Sequence, residues 1–511
     1  MSFRRVGWVA AIGLATWLEL SCGQVYRPVV IPVSIIQPNP ANFHAVFGIS
    51  ANVPFNPGAA LQIDVSGDSN IGVANMGVNP THAVILPNNS RVFVASAGSL
   101  FKGDADVVTA FFPAGAGSSA SGLSNTTIFS LPYGSWPVFV ETTQTSAVYV
   151  ANYGTNSVSV LNPATNTVSQ TGTAGVNPVA LAETPNGQNL YVVNQGDNTV
   201  IDLSPTDLSP LATIPVGNTP VWAASRPDNQ RVYVVTQGDG QLYTIRTDTN
   251  AVIPGSPQSV GGAGANFVLY DKSLNRLYVT NPNAGAVYVF DATADPPAPM
   301  GILTIPAPPI AAPVSTVCAS AHCTYSPAMP VSVTALPDGS RFYVASYVTG
   351  TAISGSGSAT CPDSNVTAPA GCIIPQVTVF DARALTVRTT IFPLLPPVSE
   401  TVATSTGTST VSVYPFALAP VAFCAPVFPY TPASARFRMS AVAATDSSRV
   451  YASLCDGGSV AIVRTKTNTI TTGVNTADTL VTDLLAPFSG GPPQSNNEPA
   501  PQSPVFLLTG Q

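Results

Sequence analysis

Charge is scarce in this chain: 8% of its 511 residues are Asp, Glu, Lys or Arg, where about 25% is ordinary. Ser, Thr, Asn, Gln and Gly must cover the surface instead, which suits a secreted or cell-surface setting. No cluster of Lys or Arg is present to displace counterions from a phosphate backbone, and the net charge is −7, so nucleic acid is excluded as a partner. Histidine is scarcer still: the three residues His44, His82 and His322 leave little for acid–base chemistry. The chain also lacks a Cys-x-x-Cys-His haem attachment, helical periodicity between its apolar segments and, beyond its leader, an apolar run long enough to cross a membrane as a helix. Its length alone would suggest about three domains, but no charged linker divides it, which argues for one continuous unit.

What the chain does have is repetition. VYVANYGTNSVSV from Val148, LYVVNQGDNTVI from Leu190, VYVVTQGDGQLYTI from Val232 and LYVTNPNAGAVYVF from Leu277 begin 42, 42 and 45 residues apart. Each holds two alternating apolar runs joined by a Gly/Asn/Asp turn, the pattern of a hairpin. Around the copy at Leu190, Gly175-Val176-Asn177-Pro178 is a turn, Val179 to Ala182 an apolar run, Pro185-Asn186-Gly187 a second turn, and Leu211 to Ile214 a fourth strand. Four short antiparallel strands per period describe a propeller blade, which must stack on neighbours to bury both faces.

The turn Gly-x-x-Pro, the turn Pro-Asp/Asn-Gly, Tyr-Val-x-Asn and then Val-x-Val-hydrophobic-Asp resemble the YVTN β-propeller repeat. Leu277-Tyr278-Val279-Thr280-Asn281 and Val287-Tyr288-Val289-Phe290-Asp291 carry it most fully, within a span from about Gly134 to Asp291. Weaker copies lie at Arg91-Val92-Phe93-Val94, at Arg341-Phe342-Tyr343-Val344 with Val377 to Asp381, and at Arg449-Val450-Tyr451-Ala452. The fold class expected is all-β: a single propeller of four-stranded antiparallel blades, eight by count, where seven is usual for the family. Leu61 to Val78 reads as the last two strands of a repeat, and Pro504 to Leu508 as its missing second strand. Pairing the two would close the ring and remove open sheet edges. The organisation expected is a signal peptide over 1–21, an irregular segment over 22–57 and a propeller over 58–511, with insertions at 349–374 and 392–432.

Arg4 and Arg5 form a basic n-region and Val6 to Leu18 an apolar h-region, as in a secretory leader. Leu18-Glu19-Leu20-Ser21-Cys22 resembles a lipobox in which Glu19 interrupts the usual apolar run. That resemblance implies an acylated Cys22 and a protein tethered to the cell envelope, with Gly23 favouring the outer membrane; cleavage to a secreted form is the alternative. Six further cysteines, Cys318, Cys323, Cys361, Cys372, Cys424 and Cys455, form an even set suited to disulfides in an oxidising space. Proximity favours Cys318 with Cys323 and Cys361 with Cys372, leaving Cys424 for Cys455, each stapling an irregular segment. A metal site on Cys318, His322 and Cys323 matches no common zinc spacing and is the weaker reading.

Blade-start turns and the turns within the middle hairpins emerge on one face of a propeller. Asn79, Asn177, Asn194, Asp197, Asn218, Gln237, Asp239 and Asn281 are therefore candidates for a polar binding face, with His82 as the histidine placed to meet the central channel. Aspartates beside glycines are ordinary hairpin residues, and a Ca²⁺ or other divalent site needs more converging oxygens than any one loop offers. No cofactor and no catalytic residue is expected. Trp136 and Trp222, close to strand starts, read as blade packing ahead of sugar platforms. The function expected is a monomeric, non-enzymatic extracytoplasmic scaffold that binds a protein or glycan partner through its loop-rich face and meets the membrane only through a lipid anchor. The alternative is a metal-dependent lactonase-like or lyase-like enzyme, which requires His82 and at least two of Asp197, Asp239 and Asp456 to meet at the channel.

Overall fold

The computed structural model describes residues 45–52, 57–65, 68–98, 106–113, 123–306, 323–352, 372–391, 398–404, 407–413, 424, 438–465, 478–485 and 502–510. The leader with Cys22, together with His44, Cys318, His322 and Cys361, lies outside them.

Eight antiparallel sheets form the blades of a β-propeller. In chain order, the inner strands of blades 1 to 7 are Pro80–Ile85, Pro137–Glu141, Pro178–Glu183, Pro220–Ser225, Phe267–Asp271, Met329–Ala335 and Ala441–Ala443. Within each blade the strands then run outward as in blade 3, where Leu190–Asn194, Thr199–Leu203 and Pro210–Pro215 follow. Each inner strand packs beside the next around the ring.

Blade 8 closes the ring and corrects the expected division of its strands. The N-terminal part supplies three strands, Ala45–Asn52, Pro57–Asp64 and Ser69–Val78, and the C-terminal strand Gln502–Thr509 is the innermost one. The first of these three falls in the segment 22–57 that the sequence pattern left irregular. The C-terminal assignment has a local cause. Pro504-Val505-Phe506 repeats the opening of the other inner strands, Pro137-Val138-Phe139 and Pro220-Val221-Trp222, and the same register shift follows the proline in each. A proline lacks the N–H to continue a ladder, so it fits the start of a strand beside an irregularity.

Two devices hold neighbouring blades together. Tyr191, Tyr233, Tyr278, Tyr343 and Tyr451, at matching places in second strands, are fully buried between sheets, each ring removing a large apolar area from water. Beside them, side chains at the start of one second strand clasp the turn before the outer strand of the next blade. Arg91 donates to Asn166 Oδ1 at 2.6 Å, Tyr149 to the Pro205 carbonyl at 3.4 Å, and Tyr191 to Asn250 Oδ1 at 2.7 Å. Arg231 pairs with Asp295, Arg276 donates to the Ala382 carbonyl, Arg341 pairs with Asp478 at 2.7 Å, and Arg449 with Asp68 at 3.0 Å. The Arg449–Asp68 pair joins residues at opposite ends of the chain and fastens blade 7 to blade 8.

The insertions depart from the repeat at one end of the channel. In blade 6 the second strand Arg341–Ala352 has 12 residues where Arg276–Asn281 of blade 5 has 6. It pairs with Cys372–Asp381 as far as Gly350 with Cys372, and Cys323–Tyr325 adds a third strand to this extension. Six extra residues at about 3.3 Å each carry this flap roughly 20 Å past the blade. The second insertion contains the hairpin Val398–Thr404 with Gly407–Val413. A disulfide between Cys424 and Cys455, the pair left after the two close-spaced ones, fixes that insertion to the turn after the second strand of blade 7.

Candidate functional site

The two ends of the channel differ in what their polar groups are doing. One end carries the turns that start each blade and those within the middle hairpins. There the amides and acids singled out from the sequence bind one another's backbone. Asp197 accepts from the Val176 N–H at 2.9 Å and from the Thr199 hydroxyl, and Asp239 repeats the bond with the Asn218 N–H. The carbonyl of Asn79 accepts from Ala97, that of Asn177 from Gln195 and that of Asn218 from Gly238, while the Gln237 N–H donates to Thr219. Asn79 and Asn177 have φ of 60° and 54°, a left-handed conformation that Asn tolerates better than most residues. Asn194 and Asn281 are wholly buried; Asn281 Nδ2 donates to the carbonyls of Val260 and Gly262 at 2.7 and 2.9 Å. The bonds of Asn79, Asn177, Asp197, Asn218, Gln237 and Asp239 tie blade-start turns to the hairpin tips beside them.

Halfway along, the channel is filled by rings. His82, Phe139, Trp222 and Phe506 each stand two residues after the proline of their inner strand, and Phe267 holds the corresponding place in blade 5. His82 stacks on Phe139 at 3.8 Å and meets Phe506 at 4.3 Å; Trp222 lies 5.2 Å from Phe139 and 5.0 Å from Phe267. Trp222 thus packs across the channel as well as within its blade. Burial pushes the His82 pKa down to about 3, against a backbone hydrogen bond to Val140 that works the other way. A neutral imidazole wedged between rings is no general base at neutral pH.

Beyond this layer, at the C-terminal ends of the inner strands, lies a cavity of about 300 Å³ lined in part by Phe139, Glu141, Ala182, Trp222, Tyr270 and Lys272. Burial, and then the nearby Glu183, push the Glu141 pKa up to about 8. Glu183 is itself raised by burial, although the Thr143 N–H donates to it. Sequence reasoning missed Glu141 and Lys272, because each breaks the repeat instead of following it. The ring layer leaves a trace in the sequence as Pro-x-ring at His82, Phe139, Trp222 and Phe506.

His82, Asp197, Asp239 and Asp456 do not meet. Asp197 and Asp239 hold turns, and Asp456 pairs with Arg438 at 3.1 Å. Among the described residues, no three His, Cys, Asp or Glu side chains converge as metal ligands would.

No family model and no curated protein matches the chain. Solved structures do match in fold. Dihydro-heme d1 dehydrogenase NirN, in complex with DHE, aligns with a TM-score of 0.53 at 11% identity over 92% of this chain and 75% of that one. Hydrazine synthase of Kuenenia stuttgartiensis aligns at 0.42 and 15% identity over 65% and 78%, and a putative 6-phosphogluconolactonase from Bacteroides uniformis at 0.44 and 12% over 68% and 96%. At such identities the likeness is one of fold alone.

Proposed function

We propose that this chain is a non-enzymatic, extracytoplasmic binding propeller that captures a protein or glycan partner at its insertion-bearing end. The observation that carries this reading is the flap of blade 6 together with the disulfide-fixed second insertion, both at the end that carries the blade-start turns and hairpin tips. Long segments held on a rigid ring exceed what closure requires, and such segments commonly carry recognition. The Cys424–Cys455 bridge fits an oxidising compartment, and acylated Cys22 would tether the ring to the envelope. The enzyme reading loses support because its four residues stand apart, each with a structural partner.

The test compares the full chain with a variant in which residues 353–371 are replaced by a two-residue Asn-Gly turn. Crosslinking in cells that make the protein reads a protein partner, and a glycan array reads a carbohydrate one. The variant is expected to keep its thermal midpoint and lose about tenfold in capture. Undiminished capture overturns the assignment to this end.

A further inference from the structure

The cavity at the other end of the channel sets two opposite charges beside aromatic carbon. Its volume of about 300 Å³ stands at the lower limit of small-molecule pockets, a size that suits one amino acid better than a longer chain. Ala182 and Ala224 hold the inner-strand place that Glu141 holds in blade 2, and their small side chains open the space. The rings of Phe139, Trp222 and Phe267 form its apolar side.

Glu141 lines this space from blade 2 and Lys272, which follows the inner strand Phe267–Asp271, lines it from blade 5. Neither has an ion-pair partner within 4.0 Å among the described residues, and they do not pair with each other. Glu141 is half-buried, its carboxylate takes part in no hydrogen bond, and neither of its oxygens is sealed from solvent. Near it lies Glu183, wholly buried with one carboxylate oxygen unpartnered. Two neighbouring carboxyls, with ring faces beside them, stabilise a positive charge on this side of the cavity. Lys272, exposed at the opposite side, stabilises a negative one. A cation alone would be repelled by Lys272, and an anion alone by Glu141 and Glu183; a molecule carrying both charges meets a partner at each.

We propose that this cavity binds a small zwitterion with an apolar body, of the α-amino acid class: its ammonium pairs with Glu141, its carboxylate pairs with Lys272, and its side chain packs against Trp222 and Phe267. Recognition of the partner at the insertion-bearing end is independent of this site, so either can fail without the other.

The test is calorimetry on the full chain at pH 8, where Glu141 is about half ionised, with three probes that share one phenyl body: phenylalanine, phenethylamine with the ammonium alone, and 3-phenylpropionate with the carboxylate alone. Phenylalanine is expected to bind tightest. Glu141→Gln keeps the shape and removes the charge; it should weaken phenylalanine and phenethylamine at least about tenfold and leave 3-phenylpropionate no weaker. Lys272→Met should weaken phenylalanine and 3-phenylpropionate about threefold, a smaller effect because Lys272 is exposed, and leave phenethylamine no weaker. Ala182→Leu fills the cavity and should abolish all three. No binding of phenylalanine by the wild-type protein, a charge variant whose effect does not follow the matching charge of the probe, or binding that survives Ala182→Leu overturns the proposal. If Ala182→Leu does not fold, the two charge variants decide the matter.

Discussion

The two ends of the channel are built from the same repeat, yet their polar groups have opposite fates. At the insertion-bearing end, Asp197, Asp239, Asn194 and Asn281 repeat with the blades; Asp197, Asp239 and Asn281 bind the backbone of a turn beside them, and Asn194 donates to the Thr199 hydroxyl of its own hairpin. At the cavity end, Glu141 and Lys272 occur once, and neither has an ion-pair partner within 4.0 Å among the described residues. A polar residue that recurs with the period serves the period, because each blade poses the same turn with the same unpaired N–H. A polar residue that breaks the period has no such task.

Three substitutions sharpen this contrast. The largest effect is expected of Trp222→Ala, which removes the biggest ring from the layer between the two ends and should cost about 3–5 kcal/mol in urea unfolding. A loss under about 1 kcal/mol would mean the layer is loosely packed. Asn281→Ala strips its donors from the carbonyls of Val260 and Gly262 and should cost about 2–3 kcal/mol. A silent Asn281→Ala would return the amides of that end to the pool of free binding groups.

The third effect depends on pH. The folded-state pKa of Glu141, about 8, lies above its ordinary 4.5, so folding takes up a proton between those values. The stabilisation is complete below pH 4.5 and is lost as pH rises through 8. Glu183 contributes in the same direction. Glu141→Gln should therefore leave the thermal midpoint unchanged near pH 4, below both values, and raise it at pH 8.5. Equal effects at both values would show that the carboxyl does not titrate with folding.

Much of this could be read before the structure. The hairpins starting at Val148, Leu190, Val232 and Leu277 identified the blades because alternation and turn chemistry are local. The Cys424–Cys455 bridge followed as the pair left over once the close-spaced cysteines were matched. The closure was read with its strands misassigned, since Ala45–Asn52 sits among Pro- and Asn-rich segments and looks irregular without the strand that pairs with it. The cavity was not legible, because Glu141, Ala182, Trp222 and Lys272 lie on separate blades.

The sequence by itself determined the blade, its four strands and their repetition into a ring, because backbone alternation and turn residues act within one period. Tertiary structure decided which residues share the channel, which second strand clasps which turn, and that a histidine far from Trp222 and Phe506 in the chain would lie among their rings. Those choices arise where eight inner strands converge, and the sequence separations they bridge leave no periodic trace.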